Sequence, residues 1–240
     1  MSGTLTLPKL PKHLAIIMDG NGRWGEEYSR GRLAGHRKGA ANVRTIVGHA
    51  REIGIEYLTL YAFSTENWKR PHNEVNTLMR LMQHFTEREV NALRDADVRV
   101  RFIGEHSGLP AELLKAMVSM EQKTEECLGM VLTIAISYGG RDEIVRAVRA
   151  MLDKRLNSAD VTEAVVAEHL DTHLLPDVDL LIRTGGNERL SNFLLWQIAY
   201  AEICFTNTYW PAFTAREMND IIALWATAER RFGGLYTAAE

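Results

Sequence analysis

The chain has 240 residues, 46% hydrophobic and 25% charged, which suits one α/β domain able to bury a large core. A net charge of −3 provides no overall basic field, so nucleic acid is not an expected partner. No apolar stretch reaches the roughly 18 residues of a membrane span, and no basic region followed by a long apolar run suggests a signal peptide. Cys127 and Cys204 are far apart, without metal or redox spacing, and read as core residues of a cytoplasmic protein.

Met1 to Lys12 is a short tail, with Pro8 and Pro11 ahead of the first strand. Leu14 to Met18 has the length and the isoleucines of a buried strand. It stops at Asp19, and Gly20-Asn21-Gly22 then frees the backbone to turn and to approach a ligand. A carboxylate at a strand's carboxyl end, before a Gly-rich turn, is where open α/β sheets place a ligand. Exposed N–H groups and Arg23 suit a phosphate. Asp19 repels one unless a divalent cation lies between them, as Mg²⁺ commonly does. The stretch reads either as a metal-diphosphate site or as an ordinary Asp-Gly turn. Gly20 to Gly25 also matches GxGxxG. A dinucleotide site, however, wants an acidic residue about 20 positions on, closing the next strand, and that strand closes much later, at Phe63-Ser64.

Arg30 to Gly54 reads as a helix preceded by a basic loop. Residues 23, 30, 32, 37, 38 and 44 are Arg or Lys against Glu26 and Glu27, with His36 among them. That local excess implies an anionic ligand or a solvated helix face. Ile55 to Phe63 is a second strand, ending in the polar run Ser64-Thr65-Glu66-Asn67-Trp68-Lys69-Arg70-Pro71. Polar groups after a strand's carboxyl end signal a site; helix capping by Ser64 or Thr65 is the alternative. Asn73 to Leu93 is an amphipathic helix with Val75, Leu78, Met79, Leu81, Met82, Phe85 and Val90 on one stripe. Val98 to Gly104 is a strand, Pro110 to Cys127 a helix, and Met130 to Ile136 a strand with Met130, Leu132, Ile134 and Ile136 on one face. Gly139-Gly140 opens a helix to Leu156. His169 and His173 could share a helix face, but the third ligand of a zinc site is lacking.

Val178 to Ile182 is a fifth strand, followed by Arg183-Thr184-Gly185-Gly186, Arg189, Ser191 and Asn192. Two arginines, glycines and a hydroxyl make a second anion site. Ala201 to Phe205 is a sixth strand carrying Glu202, costly amid apolar neighbours unless paired or on a metal. Thr214 to Phe232 is a final helix. Strands alternating with helices predict one domain over residues 1–240, with a mostly parallel sheet of about six strands flanked by helices.

Asp19-Gly-Asn-Gly-Arg-Trp24, Phe63-Ser-Thr-Glu-Asn-Trp68 with Arg70-Pro71, Tyr138-Gly-Gly-Arg141, Arg183-Thr-Gly-Gly186 and Arg189 to Gln197 together resemble the cis-prenyltransferases. The likeness runs from about Leu14 to Gly234, in the family's order. It implies an α/β fold with a hydrophobic tunnel, a homodimer, and Mg²⁺-dependent addition of isopentenyl diphosphate to farnesyl diphosphate with cis double bonds. The long product would carry cell-wall building blocks, with transient membrane contact for its release. By the same resemblance, Asp19 binds Mg²⁺ and assists departure of the allylic diphosphate. Gly20, Asn21, Gly22 and Arg23, flanked by Trp24, hold that diphosphate with Arg32 and His36. Ser64, Thr65, Glu66, Trp68 and Arg70 shape the reacting zone, and Asn67 is the family's proposed proton acceptor. Arg183, Arg189, Leu190 and Ser191 form the isopentenyl diphosphate site. Glu202 helps hold Mg²⁺, across the dimer in one reading, and Arg231-Phe232-Gly233 resembles a motif that in some members reaches the partner's site. Asn187-Glu188 departs from the family's usual glutamate followed by glutamate or histidine, so a histidine contact does not carry over. Residue chemistry disfavours Asn67 as a base, since a neutral amide accepts a proton poorly. The helical trans-prenyltransferases need DDxxD motifs, and this chain has no adjacent Asp pair. A non-catalytic partner subunit would lack the metal Asp, which is present.

Overall fold

Among the described residues, six strands pair side by side in parallel, the inner ones apolar and the edge strand β6 exposed. They are β1 (His13–Ile17), β2 (Tyr57–Ser64), β3 (Val98–Ile103), β4 (Met130–Tyr138), β5 (Leu180–Arg183) and β6 (Glu202–Phe205), in the order β3-β4-β2-β1-β5-β6. Helices α1 (Asn21–Glu27), α2 (Arg32–Ile53), α3 (His72–Asp95), α4 (Ala111–Lys123), α5 (Gly140–Asp153), α6 (Glu163–Glu168) and α7 (Ala215–Thr227) connect and follow the strands. The computed structural model describes residues 9–28 and 30–227. Arg231-Phe232-Gly233 lies outside them.

All five β1 residues are buried. Leu14 and Ile16 face the larger core with Ile46, Leu58 and Leu132, while Ala15 and Ile17 face a smaller one with Tyr61, Phe193 and Leu194. The expected β4 face is observed, with Met130, Leu132, Ile134 and Ile136 in the larger core. The α3 stripe divides. Val75, Met79 and Val90 are buried, whereas Leu78, Leu81, Met82 and Phe85 border a cavity. Pro71 and Pro110 stand immediately before α3 and α4, where a missing N–H costs least. Gly54 ends α2 at φ +96°, accepting the left-handed turn that a side chain would strain.

Helix α4 stops at Lys123, short of Cys127, because Thr124 turns its hydroxyl to accept the Val100 N–H of β3. His169 and His173 share no helix: α6 ends at Glu168, and His169 is occupied by the Val165 carbonyl and Lys154. Glu202 is exposed on the edge strand, so it carries no burial cost and needs no partner. Cys127 is buried and Cys204 half-buried.

Strand order places the site. From β1 the chain builds outward through β2, then returns to lay β5 on the other side of β1. The connections leave β1 in opposite directions, and the crevice at its carboxyl end is the switch point where α/β sheets bind ligands.

Candidate active site

The loops after β1, β2 and β5 converge on a polar pocket of about 540 Å³. Thr184, directly after β5, holds the end of β1: its hydroxyl accepts the Asp19 N–H at 3.0 Å and donates to the Asp19 carbonyl at 2.9 Å. The chain then turns at Gly20, φ +99°, where a Cβ would lie 2.6 Å from the Tyr209 ring. Helix α2 crosses α1 so closely that a Cβ at Gly35 would stand 1.9 Å from the Asn21 carbonyl. These contacts aim the Asp19 carboxylate into the pocket.

That carboxylate is encircled by donors. Oδ1 accepts the Gly20 N–H at 2.6 Å and lies 3.2 Å from Arg23 Nη2. Oδ2 accepts Arg183 Nη2 and Asn187 Nδ2, both at 2.8 Å. Burial pushes the Asp19 carboxyl up, but the hydrogen bonds from Arg183 and Asn187, with the charges of Arg183 and Arg23, outweigh it and hold it below the usual range. Arg183 is buried and reaches further, donating through Nη1 to Ser191 Oγ at 2.7 Å and to the Arg189 carbonyl. Ser191 and Asn192 adopt left-handed conformations, φ +49° and +63°. Asn192 donates to Glu66 Oε1 at 3.1 Å and accepts the Arg141 N–H at 2.9 Å, tying the loop after β2 to the loop after β5.

Several buried polar atoms here make no hydrogen bond: Arg23 Nη2, whose contact with Asp19 is an ion pair only, His36 Nε2 and Arg183 Nε. Unsatisfied buried groups are costly, and all three suit an anion's oxygens. His36 is neutral at pH 7. Burial first, then the Arg70 charge, push its imidazole down to about 4 against the pull of Glu74. Unfolded, it titrates near 6.5. Below that pH the unfolded chain takes up a proton that the folded one refuses, so stability falls between pH 6.5 and 4, by at most about 3 kcal/mol. We expect His36→Gln to lose less stability than the wild type over this range in urea unfolding. Identical pH profiles would refute the shift.

A second cavity, about 110 Å³, adjoins the pocket and shares Met18, Ala62 and Leu78 with it. Leu81, Met82 and Phe85 of α3 face Ile134 and Ile136 of β4 across it. Met130 and Leu132, further down that strand face, are core and do not line it.

The undecaprenyl diphosphate synthase family profile matches residues 17–233. The chain belongs to this family. An isoprenyl transferase of Staphylococcus saprophyticus is 46% identical over 235 residues, 96% of this chain and 92% of the relative. One from Agrobacterium fabrum is 46% identical over 236 residues, 97% of this chain and 96% of its own length. A crystal structure of lavandulyl diphosphate synthase from Lavandula x intermedia, in complex with dimethylallyl diphosphate, superposes with a TM-score of 0.90 at 36% identity, covering 93% of this chain and 98% of that one. A probable undecaprenyl diphosphate synthase from Campylobacter jejuni gives 0.79 at 38% identity, covering 94% and 99%.

Most prenyltransferase residues expected from the sequence meet here. Asp19, Asn21, Arg23, His36, Ser64, Glu66, Asn67, Arg70, Arg183, Arg189 and Ser191 line the polar pocket. Gly20, Gly22, Trp24, Arg32, Thr65, Trp68 and Leu190 do not line it. Gly22 gives the Arg32 guanidinium room, Arg32 pairs with Glu26 and Glu74, and Trp68 Nε1 donates to Ser137 Oγ. The capping alternative for the polar loop also holds: Ser64 caps a 3-10 turn, and Asn67 Oδ1 accepts the Ser64 N–H at 3.1 Å. The basic run is only partly a site, for Arg37 and Lys38 are exposed to solvent and Arg44 pairs with Glu89. Glu202 begins β6 opposite Leu180, at the far end of the sheet from Asp19, and does not join it within one chain. Thr184, Asn187 and Asn192 stood in the sequence motifs but were given no role there. Asn187 and Asn192 stood in the Gly-rich loop and beside Ser191, where proximity to the motif was the only signal.

The donors suit Mg²⁺, which takes oxygen ligands and leaves most of its shell to waters and phosphates. Among the described residues, no group of three or more His, Cys, Asp or Glu could hold a metal. Asp19 is a carboxylate placed between the two arginine clusters.

Proposed function

We propose that this chain condenses isopentenyl diphosphate units onto an allylic diphosphate, farnesyl diphosphate, with cis double bonds, to make a long polyprenyl diphosphate. Undecaprenyl diphosphate, a lipid carrier for cell-wall synthesis, is the product we assign. One observation carries this: a two-cluster anion pocket adjoins an apolar cavity and shares Ala62 and Leu78 with it as lining. A reaction joining two diphosphates and extending a hydrocarbon needs that combination.

Arg23, His36 and Arg70 face one diphosphate, and Arg183, Arg189 and Ser191 the other. Asp19 would hold Mg²⁺, which supplies charge stabilisation for the leaving diphosphate when bound. Preorganised guanidiniums serve the same developing charge. Neutral His36 can offer an N–H to a diphosphate without pairing to a carboxylate first. Asn67 is a poor proton acceptor, because its carbonyl already accepts the Ser64 N–H. It orients substrate, and a diphosphate oxygen or water takes the proton. The apolar walls keep water from the growing chain, each buried CH₂ contributing about 0.8 kcal/mol.

The enzyme works as a homodimer. Strand β6 leaves an open sheet edge beside exposed Tyr200, Ile203 and Phe205, an arrangement that invites a second copy. Glu202, on that edge, would serve the partner's metal rather than its own. No helix among the described residues is long and apolar enough to cross a membrane, so release of product would use transient contact with one.

The cavity holds about four waters' share of volume, so a long product must push its walls apart. We expect Ala62→Leu, at the mouth, to shorten the product and Phe85→Ala to lengthen it. Thin-layer separation of products made from labelled isopentenyl diphosphate reads both. A fixed length, with stability lowered by roughly 2–5 kcal/mol in Phe85→Ala, would make the cavity ordinary core.

A further inference from the structure

Asn187 sits in the loop after β5, its main chain placed by two bonds just before it: Gly185 N–H to the Thr208 carbonyl and Gly186 N–H to the Thr206 carbonyl, both 2.8 Å. Its side-chain amide donates to Asp19 Oδ2 at 2.8 Å, the oxygen also taken by Arg183. A carboxylate has about four acceptor positions. Gly20, Arg183 and Asn187 fill three of them, both positions on Oδ2 among these, and Arg23 adds an ion pair 3.2 Å from Oδ1 without a hydrogen bond. A cation can therefore share Oδ2, the oxygen that Arg183 and Asn187 both take, only if a donor yields. Gly20 is backbone. Arg183 is buried and anchored to Ser191 and the Arg189 carbonyl, and moving it would strand a charge. Arg23 is positively charged and serves the adjoining anion pocket. Asn187 is neutral, half-buried and lines the pocket.

A half-turn of the amide about its Cβ–Cγ bond exchanges the positions of Oδ1 and Nδ2, because the two atoms are nearly isosteric. The oxygen would then stand about where the nitrogen does, 2.8 Å from Asp19 Oδ2. Two neighbouring oxygens of an octahedral Mg²⁺ shell, each about 2.0–2.1 Å from the ion, lie about 2.9 Å apart. The spacing already fits a shared metal edge. Side-chain amide carbonyls are accepted ligands for hard cations.

We infer that Asn187 is a two-state metal residue: its N–H₂ holds Asp19 in the metal-free enzyme, and its flipped carbonyl oxygen joins Asp19 in the metal shell. This rests on the reading of Asp19 as the Mg²⁺ carboxylate. Asn187 thereby keeps the carboxylate aimed at the pocket before the ion arrives. It also replaces its own lost hydrogen bond with a metal contact, so the loop after β5 tightens on metal binding.

The test is Mn²⁺ alone, titrated into purified protein and followed by loss of the free-ion electron paramagnetic resonance signal. Wild type binds the ion, and Asp19→Ala loses that site. Asn187→Leu, of similar size but with neither donor nor acceptor, should bind Mn²⁺ at least about tenfold more weakly, as loss of a shell contact commonly does. Asn187→Asp keeps the shape and places a second carboxylate beside Asp19. Its melting temperature without metal should fall, and should rise on adding Mn²⁺ by more than the wild type's does. Wild-type or tighter Mn²⁺ binding by Asn187→Leu overturns the proposal, the latter meaning that the amide only competes with the ion. Should the leucine variant not fold, an Asn187→Asp response no larger than wild type overturns it equally. If Asp19→Ala itself binds Mn²⁺ normally, the metal reading beneath the proposal fails, a result distinct from failure of Asn187 alone.

Discussion

Asp19→Ala is expected to lower kcat on the order of 10³-fold or more while the protein remains folded. Asp19 is the carboxylate at the switch point, placed between two guanidinium clusters. Losing a metal-borne electrostatic contribution raises a barrier by several kcal/mol. The substitution also removes a partner from buried Arg183, so a loss of roughly 1–3 kcal/mol in stability should accompany it. Ser191 and the Arg189 carbonyl still hold the guanidinium, which limits the damage. Steady-state kinetics with far-UV circular dichroism separates the effects. Near-normal turnover would contradict the metal role.

Arg183→Lys should cut kcat/KM for isopentenyl diphosphate by about 10²-fold, comparable to losing a preorganised donor. Arg183 uses its planar fork on both sides, one nitrogen on Asp19 and the other on Ser191 and the Arg189 carbonyl. A single ammonium cannot span these partners. Because one end grips Asp19, kcat should fall as well as KM rise. Arg189 is exposed and makes no ion pair with a carboxylate among the described residues, so Arg189→Lys should raise KM for isopentenyl diphosphate and spare kcat. The sequence alone suggests the same KM effect for both arginines; the shared carboxylate is what divides them. Equal effects of both substitutions on both substrates would reject two separate anion sites.

The fold was legible where burial dictates composition. The runs at β1, β2 and β4 are apolar because both sheet faces are covered, and helices between them force parallel pairing. The site was legible where motifs coincide with strand ends, at Asp19, Ser64 and Arg183. What could not be read depends on loops. Asn187 and Asn192 act through amides whose partners are set by backbone turns, Gly185 and Gly186 before one and the left-handed Ser191 and Asn192 at the other. Glu202 looked buried because its neighbours in the sequence are apolar, yet an edge strand leaves those neighbours exposed as well. The α3 stripe looked uniform, and only the packing around it separates the buried Val75, Met79 and Val90 from the cavity-lining Leu78, Leu81, Met82 and Phe85.

The most direct measurement is incubation of the purified protein with farnesyl diphosphate, ¹³C-labelled isopentenyl diphosphate and Mg²⁺, followed by NMR of the extracted lipid. Cis double bonds in every newly added unit, formed only with both substrates and metal present and lost in Asp19→Ala, are the predicted result. No condensation, or trans geometry in the added units, would contradict the proposed reaction.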